Sequence, residues 1–185
     1  EPSRIAIRID PGMAFGTGTH PTTQLCLELV EDFLKSRDSK RSGVDVIDIG
    51  CGSGILSIAA LKLGAQRALG VDIDADAIRA SRENADTNQI SEKLELAVGS
   101  LEDVLAGMFS FNKAPLILAN ILAPIIIKLF NEGLGGLLSP DGIMILSGIL
   151  EEQVPDVQET FVKHGFELVE KRQIGDWVAL TVKKG

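Results

Sequence analysis

One stretch constrains this chain more than any other: Val46-Ile47-Asp48-Ile49-Gly50-Cys51-Gly52-Ser53-Gly54, followed some twenty positions later by Gly70-Val71-Asp72-Ile73-Asp74. An apolar run of strand length enters a turn with glycine at alternate positions, and an apolar helical segment begins at once. A second short apolar run ends in a carboxylate. Glycines without Cβ atoms let a ligand approach the backbone of the turn. A carboxylate at the end of the next strand can accept hydrogen bonds from two adjacent ribose hydroxyls. The pair of features predicts a site for an adenosine-containing cofactor at the strand ends of an α/β sheet.

The rest of the chain keeps the same rhythm. Strands are predicted near 44–49, 67–72, 94–98, 115–120 and 142–147, and helices near 54–63, 75–87, 122–132 and 151–164. Upstream, Ile5-Ala6-Ile7-Arg8-Ile9 alternates as a short strand does. Pro21 suits the first position of a helix, because its fixed φ fits and its missing N–H has no helical partner to lose. Cys26, Leu29, Val30 and Phe33 then share one face, which predicts an amphipathic helix to about residue 36 and a polar surface loop from Ser36 to Gly43. The segment after Gly54 carries Ile55, Leu56, Ile58, Ala59, Leu61 and Leu63 and is apolar nearly all round, so it must be buried. Two final strands, near 166–173 and 176–183, are separated only by the Ile174-Gly175-Asp176 turn. That is too short for a crossover helix, so they form an antiparallel hairpin. The expected fold class is α/β, a Rossmann-like doubly wound, mostly parallel sheet of seven strands with a C-terminal antiparallel hairpin and helices on both faces. Residues 1–185 form one domain, with 1–20 as an N-terminal extension and cofactor-covering loop.

Charge narrows the partners. With 18 Lys and Arg against 26 Asp and Glu, the formal charge of −8 repels phosphate backbones, so direct nucleic-acid binding is not expected. No run approaches a membrane span, and no signal peptide is visible. The two cysteines, Cys26 and Cys51, sit in unrelated contexts and read as reduced thiols of a cytoplasmic protein. With only two histidines, His20 and His164, no metal site is expected.

The cofactor is narrowed by Asp48. A dinucleotide GxGxxG pattern fits Gly52 to Ser57 only with Ser57 in place of the third glycine, a weak signal for NAD(P). A carboxylate just ahead of the glycines suits instead a ligand with a cationic ammonium and no pyrophosphate, which describes S-adenosylmethionine (SAM). Asp48 serves equally well as a brace for the loop. Asp74 is expected to cap the following helix. His20 is read as an N-cap or packing residue ahead of a proton acceptor, and Trp177 as hairpin packing ahead of a wall for an acceptor entrance.

Gly12-Met13-Ala14-Phe15-Gly16-Thr17-Gly18-Thr19-His20-Pro21-Thr22-Thr23, taken with Asn120-Ile121-Leu122-Ala123, resembles the ribosomal protein L11 methyltransferase family of class I SAM-dependent enzymes. The likeness runs over essentially the whole chain. It implies methylation of lysine side chains and an α-amine on a large-subunit ribosomal protein. Alternatives are a small-molecule or nucleic-acid-base amine as acceptor, or a SAM-binding domain inactive without a recognition domain. The resemblance puts cofactor contacts on Thr23, Gly50, Asp72 and Asn120. Thr17, Cys51 and Gly52 lie in the same motifs, Ser100 is placed to meet the adenine edge, and Ile73 to pack on its face. Asn120 is the expected catalytic residue, aiming the acceptor amine. The family's separate N-terminal substrate-recognition domain is expected to be absent from this chain, as a catalytic-domain fragment or a stand-alone homologue.

Overall fold

The computed structural model describes residues 4–10, 18–36 and 43–185. Thr17, most of the glycine-rich loop before the first helix, and most of the polar loop predicted over 36–43 lie outside the described residues.

The βα alternation produces the elements expected. In chain order they are α1 (Pro21–Ser36), β1 (Asp45–Ile49), α2 (Ile55–Lys62), β2 (Arg67–Asp72), α3 (Ala75–Thr87), β3 (Leu94–Val98), α4 (Leu101–Leu105), β4 (Ala114–Asn120), α5 (Ala123–Asn131), β5 (Leu138–Leu150), α6 (Val154–Lys163), β6 (Phe166–Ile174) and β7 (Trp177–Lys184). The strands form one sheet in the order β3-β2-β1-β4-β5-β7-β6. The first five pair in parallel, and β7 lies antiparallel between β5 and β6. This is the doubly wound sheet with a terminal hairpin that the sequence predicts. The hairpin turns on Gly175 and Asp176, with Gly175 at φ 59°, the residue type that the first central position of a tight hairpin turn demands.

Strand alternation divides the core in two. Ile47, Leu69, Ile117, Met144 and Leu146 face α4, α5 and α6, where Phe130 and Phe161 are fully buried. Val46, Ala68, Leu116, Leu118 and Ile145 face the other layer, with Leu25, Cys26, Leu29 and Val30 of α1 and nearly all of α2. Every residue of α2 from Ile55 to Leu61 is buried, as its all-round apolar sequence requires.

Three elements depart from the expected pattern. Ile5–Ile9 is not a strand. Its backbone is paired instead by side-chain amides of α3 and of its C-cap residue Asn88: Arg8 N–H donates to Asn88 Oδ1 (3.1 Å), Asn88 Nδ2 donates to the Arg8 carbonyl (2.6 Å), and Asp10 N–H donates to Asn84 Oδ1 (3.0 Å). Asn88 thus does for Arg8 what a neighbouring strand would do. β5 is much longer than 142–147, because Leu138 pairs with Ala114 before an irregularity that spans Pro140-Asp141-Gly142, a sequence that reads as a turn. α4 was not anticipated: five residues are too few to show a helical period, although Ser100 and Asp103 form a capping box at its start.

Under the glycine turn, Asp48 on β1 is buried and accepts a hydrogen bond from Ser57 Oγ at 2.7 Å, so it braces the first turn of α2. Burial pushes its carboxyl up to about 7 from an ordinary 3.8, although the Ser57 hydroxyl and amide favour the ionised form. The nearby Asp72 adds to the rise. Between those two values the folded state holds a proton that the unfolded chain has lost, so stability falls as pH rises through this window and is lowest above it. Asp48→Asn removes the penalty. Its stability, measured by urea denaturation, should gain on the parent chain by about 3 kcal/mol between pH 5 and pH 8; parallel pH profiles would contradict the assignment.

Candidate active site

The carboxyl ends of β1 and β4 diverge where the sheet order changes direction, and such crevices hold ligands in open α/β sheets. Here the crevice is a cleft of about 1140 Å³. Its walls bring together Thr23, Gly50, Cys51, Gly52, Asp72, Ile73, Ser100 and Asn120, eight of the nine residues singled out in the sequence. The ninth, Thr17, falls outside the described residues.

The glycine turn is built on backbone bonds to β2. Gly50 and Cys51 N–H both donate to the Val71 carbonyl, at 2.8 and 3.1 Å. Gly52 N–H donates to Asp72 Oδ2 at 3.0 Å, and Asp74 N–H to Asp72 Oδ1, also at 3.0 Å. Asp72 therefore holds the turn in addition to facing the cleft, and each of its oxygens keeps acceptor capacity. Gly50 sits at φ 73°, and a Cβ there would lie 2.6 Å from Ile121 Cγ2. Ile73, next in the chain, is 82% exposed, a large apolar side chain standing at the rim. Asp74 caps α3, its carboxylate accepting from Asp76 N–H at 2.8 Å.

Sequence reasoning did not find the outer brace of this turn. On α3, Ser81 Oγ donates to the Gly52 carbonyl at 2.6 Å and Asn84 Nδ2 to the Ser53 carbonyl at 2.9 Å. Both side chains are buried, on the face that also carries Ala77, Ile78 and Ala85. Polar residues at helical spacing within an otherwise apolar face were the available signal, because buried polar groups require partners.

Opposite the turn, α1 presents its first turn to the cleft. His20 caps it: Thr22 N–H donates to His20 Nδ1 at 3.3 Å, and the two side chains are 2.8 Å apart. The His20 ring packs edge-on against Trp177, centroid to centroid 4.9 Å, so the cap and packing readings are both met; both rings line the cleft. Thr23 N–H is already bonded to the His20 carbonyl at 3.0 Å. What Thr23 leaves for a ligand is Oγ1, which is buried without a protein partner.

At the tip of β4, Asn120 Oδ1 is likewise buried and unpartnered. Such an oxygen is costly unless something in the cleft donates to it. Ser100 lies across the cleft, its hydroxyl donating to Asp103 Oδ2 at 2.8 Å in the α4 capping box. That bond and the one from Ser100 N–H hold the Asp103 carboxyl below its ordinary range. Among the described residues, the carboxylates of Asp72, Glu102 and Glu132 line the cleft against the one ammonium of Lys128, which suits a cationic ligand. Neither cysteine is poised as a nucleophile. Burial pushes Cys26 up to about 12 and Cys51 well above its ordinary value, so both stay thiols at neutral pH. Among the described residues there is no cluster of metal-ligating side chains, and no helix is long and apolar enough to cross a membrane.

Comparison with known proteins agrees with the motifs. The family described as ribosomal protein L11 methyltransferase (PrmA) matches over residues 1–185. A curated ribosomal protein L11 methyltransferase from Tolumonas auensis is 46% identical over 187 residues, covering 100% of this chain and 59% of its own length. One from an Exiguobacterium species is 42% identical over 185 residues, with 100% and 55% covered. The chain thus spans little more than half the length of these relatives. The crystal structure of a ribosomal protein L11 methylase from Lactobacillus delbrueckii subsp. bulgaricus superposes with a TM-score of 0.80 at 37% identity, covering 96% of this chain and 84% of that one. A tRNA (m1A22) methyltransferase assignment from Streptococcus pneumoniae, solved in complex with SAM, shares the fold alone, with a TM-score of 0.67 at 20% identity. With the glycine turn, the strand-end acid and the β4 asparagine gathered on one cleft, and with every residue of the chain matched, the protein belongs to the ribosomal protein L11 methyltransferase family, whose members are SAM-dependent.

Proposed function

We propose that the cleft binds SAM and that this chain transfers its methyl group to an amino group of ribosomal protein L11, in the cytoplasm. The observation that carries the proposal is the buried, unpartnered carbonyl of Asn120 at the end of β4, in the same cleft as the Asp72-braced glycine turn. The residues present fit the cofactor. Asp72 has acceptor capacity left for ribose hydroxyls, Ile73 offers an exposed apolar face to an adenine, and the backbone of Gly50 and Gly52 lines the cleft where a methionine moiety would lie. Thr23 Oγ1 is a free buried partner for the polar end of that moiety. The volume of about 1140 Å³ exceeds the roughly 300–1,000 Å³ of a pocket for one drug-sized ligand, which leaves room for an acceptor side chain.

When bound, SAM supplies an electrophilic methyl group on a sulfonium, a good leaving group, so the protein's task is positioning. Asn120 Oδ1 accepts a hydrogen bond from the acceptor amine and turns its lone pair toward the reacting carbon. The amine must be neutral to react, and for a lysine at pH 7.4 deprotonation costs about 4 kcal/mol. Leu101, Leu122 and Ile125 line the cleft and desolvate an entering ammonium, which lowers that cost. The two buried, free thiols accord with a reducing compartment.

The direct test incubates the protein with methyl-labelled SAM and a ribosomal-protein mixture. Label on ribosomal protein L11 is expected; label only on adenine-containing RNA, or heat of binding from NAD(H) and none from SAM, would overturn the reading. Asn120→Ala should lower kcat far more than SAM affinity, and an unchanged kcat would remove Asn120 from the reaction. Asp72→Ala should weaken SAM binding by about 1–3 kcal/mol in calorimetry, the scale of a hydrogen bond to a charged group; near-parental affinity would refute the ribose role.

A further inference from the structure

Ile121 follows Asn120 directly, and two glycines close on it. On one side stands Gly50 of the glycine turn, where an added Cβ would meet the Ile121 side chain, 2.6 Å from Cγ2. On the other stands Gly148 of β5, at φ 84°, where an added Cβ would lie 2.3 Å from the Ile121 carbonyl oxygen, 2.7 Å from its carbonyl carbon and 3.1 Å from its nitrogen. The two obstacles differ in kind. A side-chain methyl can swing away, but a peptide group cannot move without moving the strand tip that bears it. Gly148 also lies where the β5–β7 pairing slips: Ser147 pairs with Ala179 and Ile149 with Val178, leaving Gly148 as the extra residue of a bulge. Ser147 secures the bulge on both flanks, its Oγ donating to the Val178 carbonyl at 3.0 Å and its carbonyl accepting from Ile121 N–H at 3.0 Å. Gly148 itself lines the cleft.

We infer that Gly148 is a positioning residue: its bare Cα at the β5 bulge seats the Ile121 peptide, and through it sets where the Asn120 carbonyl meets the acceptor amine. This rests on the methyltransferase reading of the cleft. The cofactor-facing turn meets the movable Ile121 side chain at Gly50 but is anchored by β2 and α3, so disturbing Gly148 acts chiefly on the acceptor end of the site.

The test compares Gly148→Ala and Gly148→Asn with the parent protein. SAM affinity is measured by calorimetry, and kcat by label transfer to ribosomal protein L11. Both variants should keep the SAM Kd within about threefold and lose at least 30-fold in kcat. Asn tolerates a positive φ better than Ala does, so recovery of kcat in Gly148→Asn would show that backbone strain, not collision with Ile121, is responsible, and would overturn the inference. A kcat within threefold of the parent, or equal losses in kcat and SAM affinity, would overturn it too. If neither variant folds, Ser147→Ala loosens the bulge without adding an atom. It should lower kcat several-fold at unchanged SAM affinity, and an unaltered kcat would sink the proposal. Parent protein that does not bind SAM refutes the reading of the cleft itself, seen before any variant is compared, and the role of Gly148 falls with it.

Discussion

Three backbone amides, those of Gly50, Cys51 and Gly52, donate to the last two residues of β2, and the site depends on these bonds. They turn the chain out of β1 and aim it into α2 while keeping the turn level with the carboxylate of Asp72. A side chain at Gly50 would force this turn against Ile121, and one at Gly70 would strike Leu96 and the Cys51 thiol. The glycines therefore serve two purposes. Gly50 lets the turn close on Ile121, the residue after β4, and Gly70 lets β2 close on Leu96 of β3 and on the Cys51 thiol.

The same economy of groups governs the charged residues. Asp72 ties the turn to β2 through Oδ2, accepts from Asp74 N–H through Oδ1, and still faces the cleft. Asp48, one layer deeper, is closed off from solvent and anchors α2 through Ser57. Their separation into a deep brace and a facing acid is a matter of burial, since both are aspartates at the ends of neighbouring parallel strands. The Asn120 oxygen stands apart from both. It is buried like Asp48, on a residue that lines the cleft as Asp72 does, but no protein group satisfies it.

Most of the fold was legible because its signals are local. Apolar runs of strand length, amphipathic or all-apolar helices, and a two-residue hairpin turn each announce themselves within ten residues or so. Thr23, Gly50, Asp72 and Asn120, which the family resemblance singles out at strand and helix ends, come together on one cleft. What stayed hidden depends on contacts between distant segments. Ser81 and Asn84 look like ordinary surface residues of a helix until the glycine turn is seen to lie against them. Ile5–Ile9 alternates as a strand does, but its partners turned out to be asparagine side chains rather than a backbone. β5 was under-read because Pro140-Asp141-Gly142 interrupts its pairing without ending the strand. Gly148 carried no motif, and its importance appears only where β4 and β5 come within contact.

Polar side chains of α3 and its C-cap tie two distant parts of the chain to one helix. Ser81 and Asn84 hold the glycine turn, and Asn84 and Asn88 hold residues 8–10, some seventy-five positions away. Successive residues of an α-helix point about 100° apart around its axis, so one added or deleted residue between Ser81 and Asn88 swings the far amides by that angle. The length of α3 is consequently as immutable as the motif it supports, and an insertion that would be harmless on the exposed face of most helices would here unfasten the chain's beginning from its ligand-facing bend.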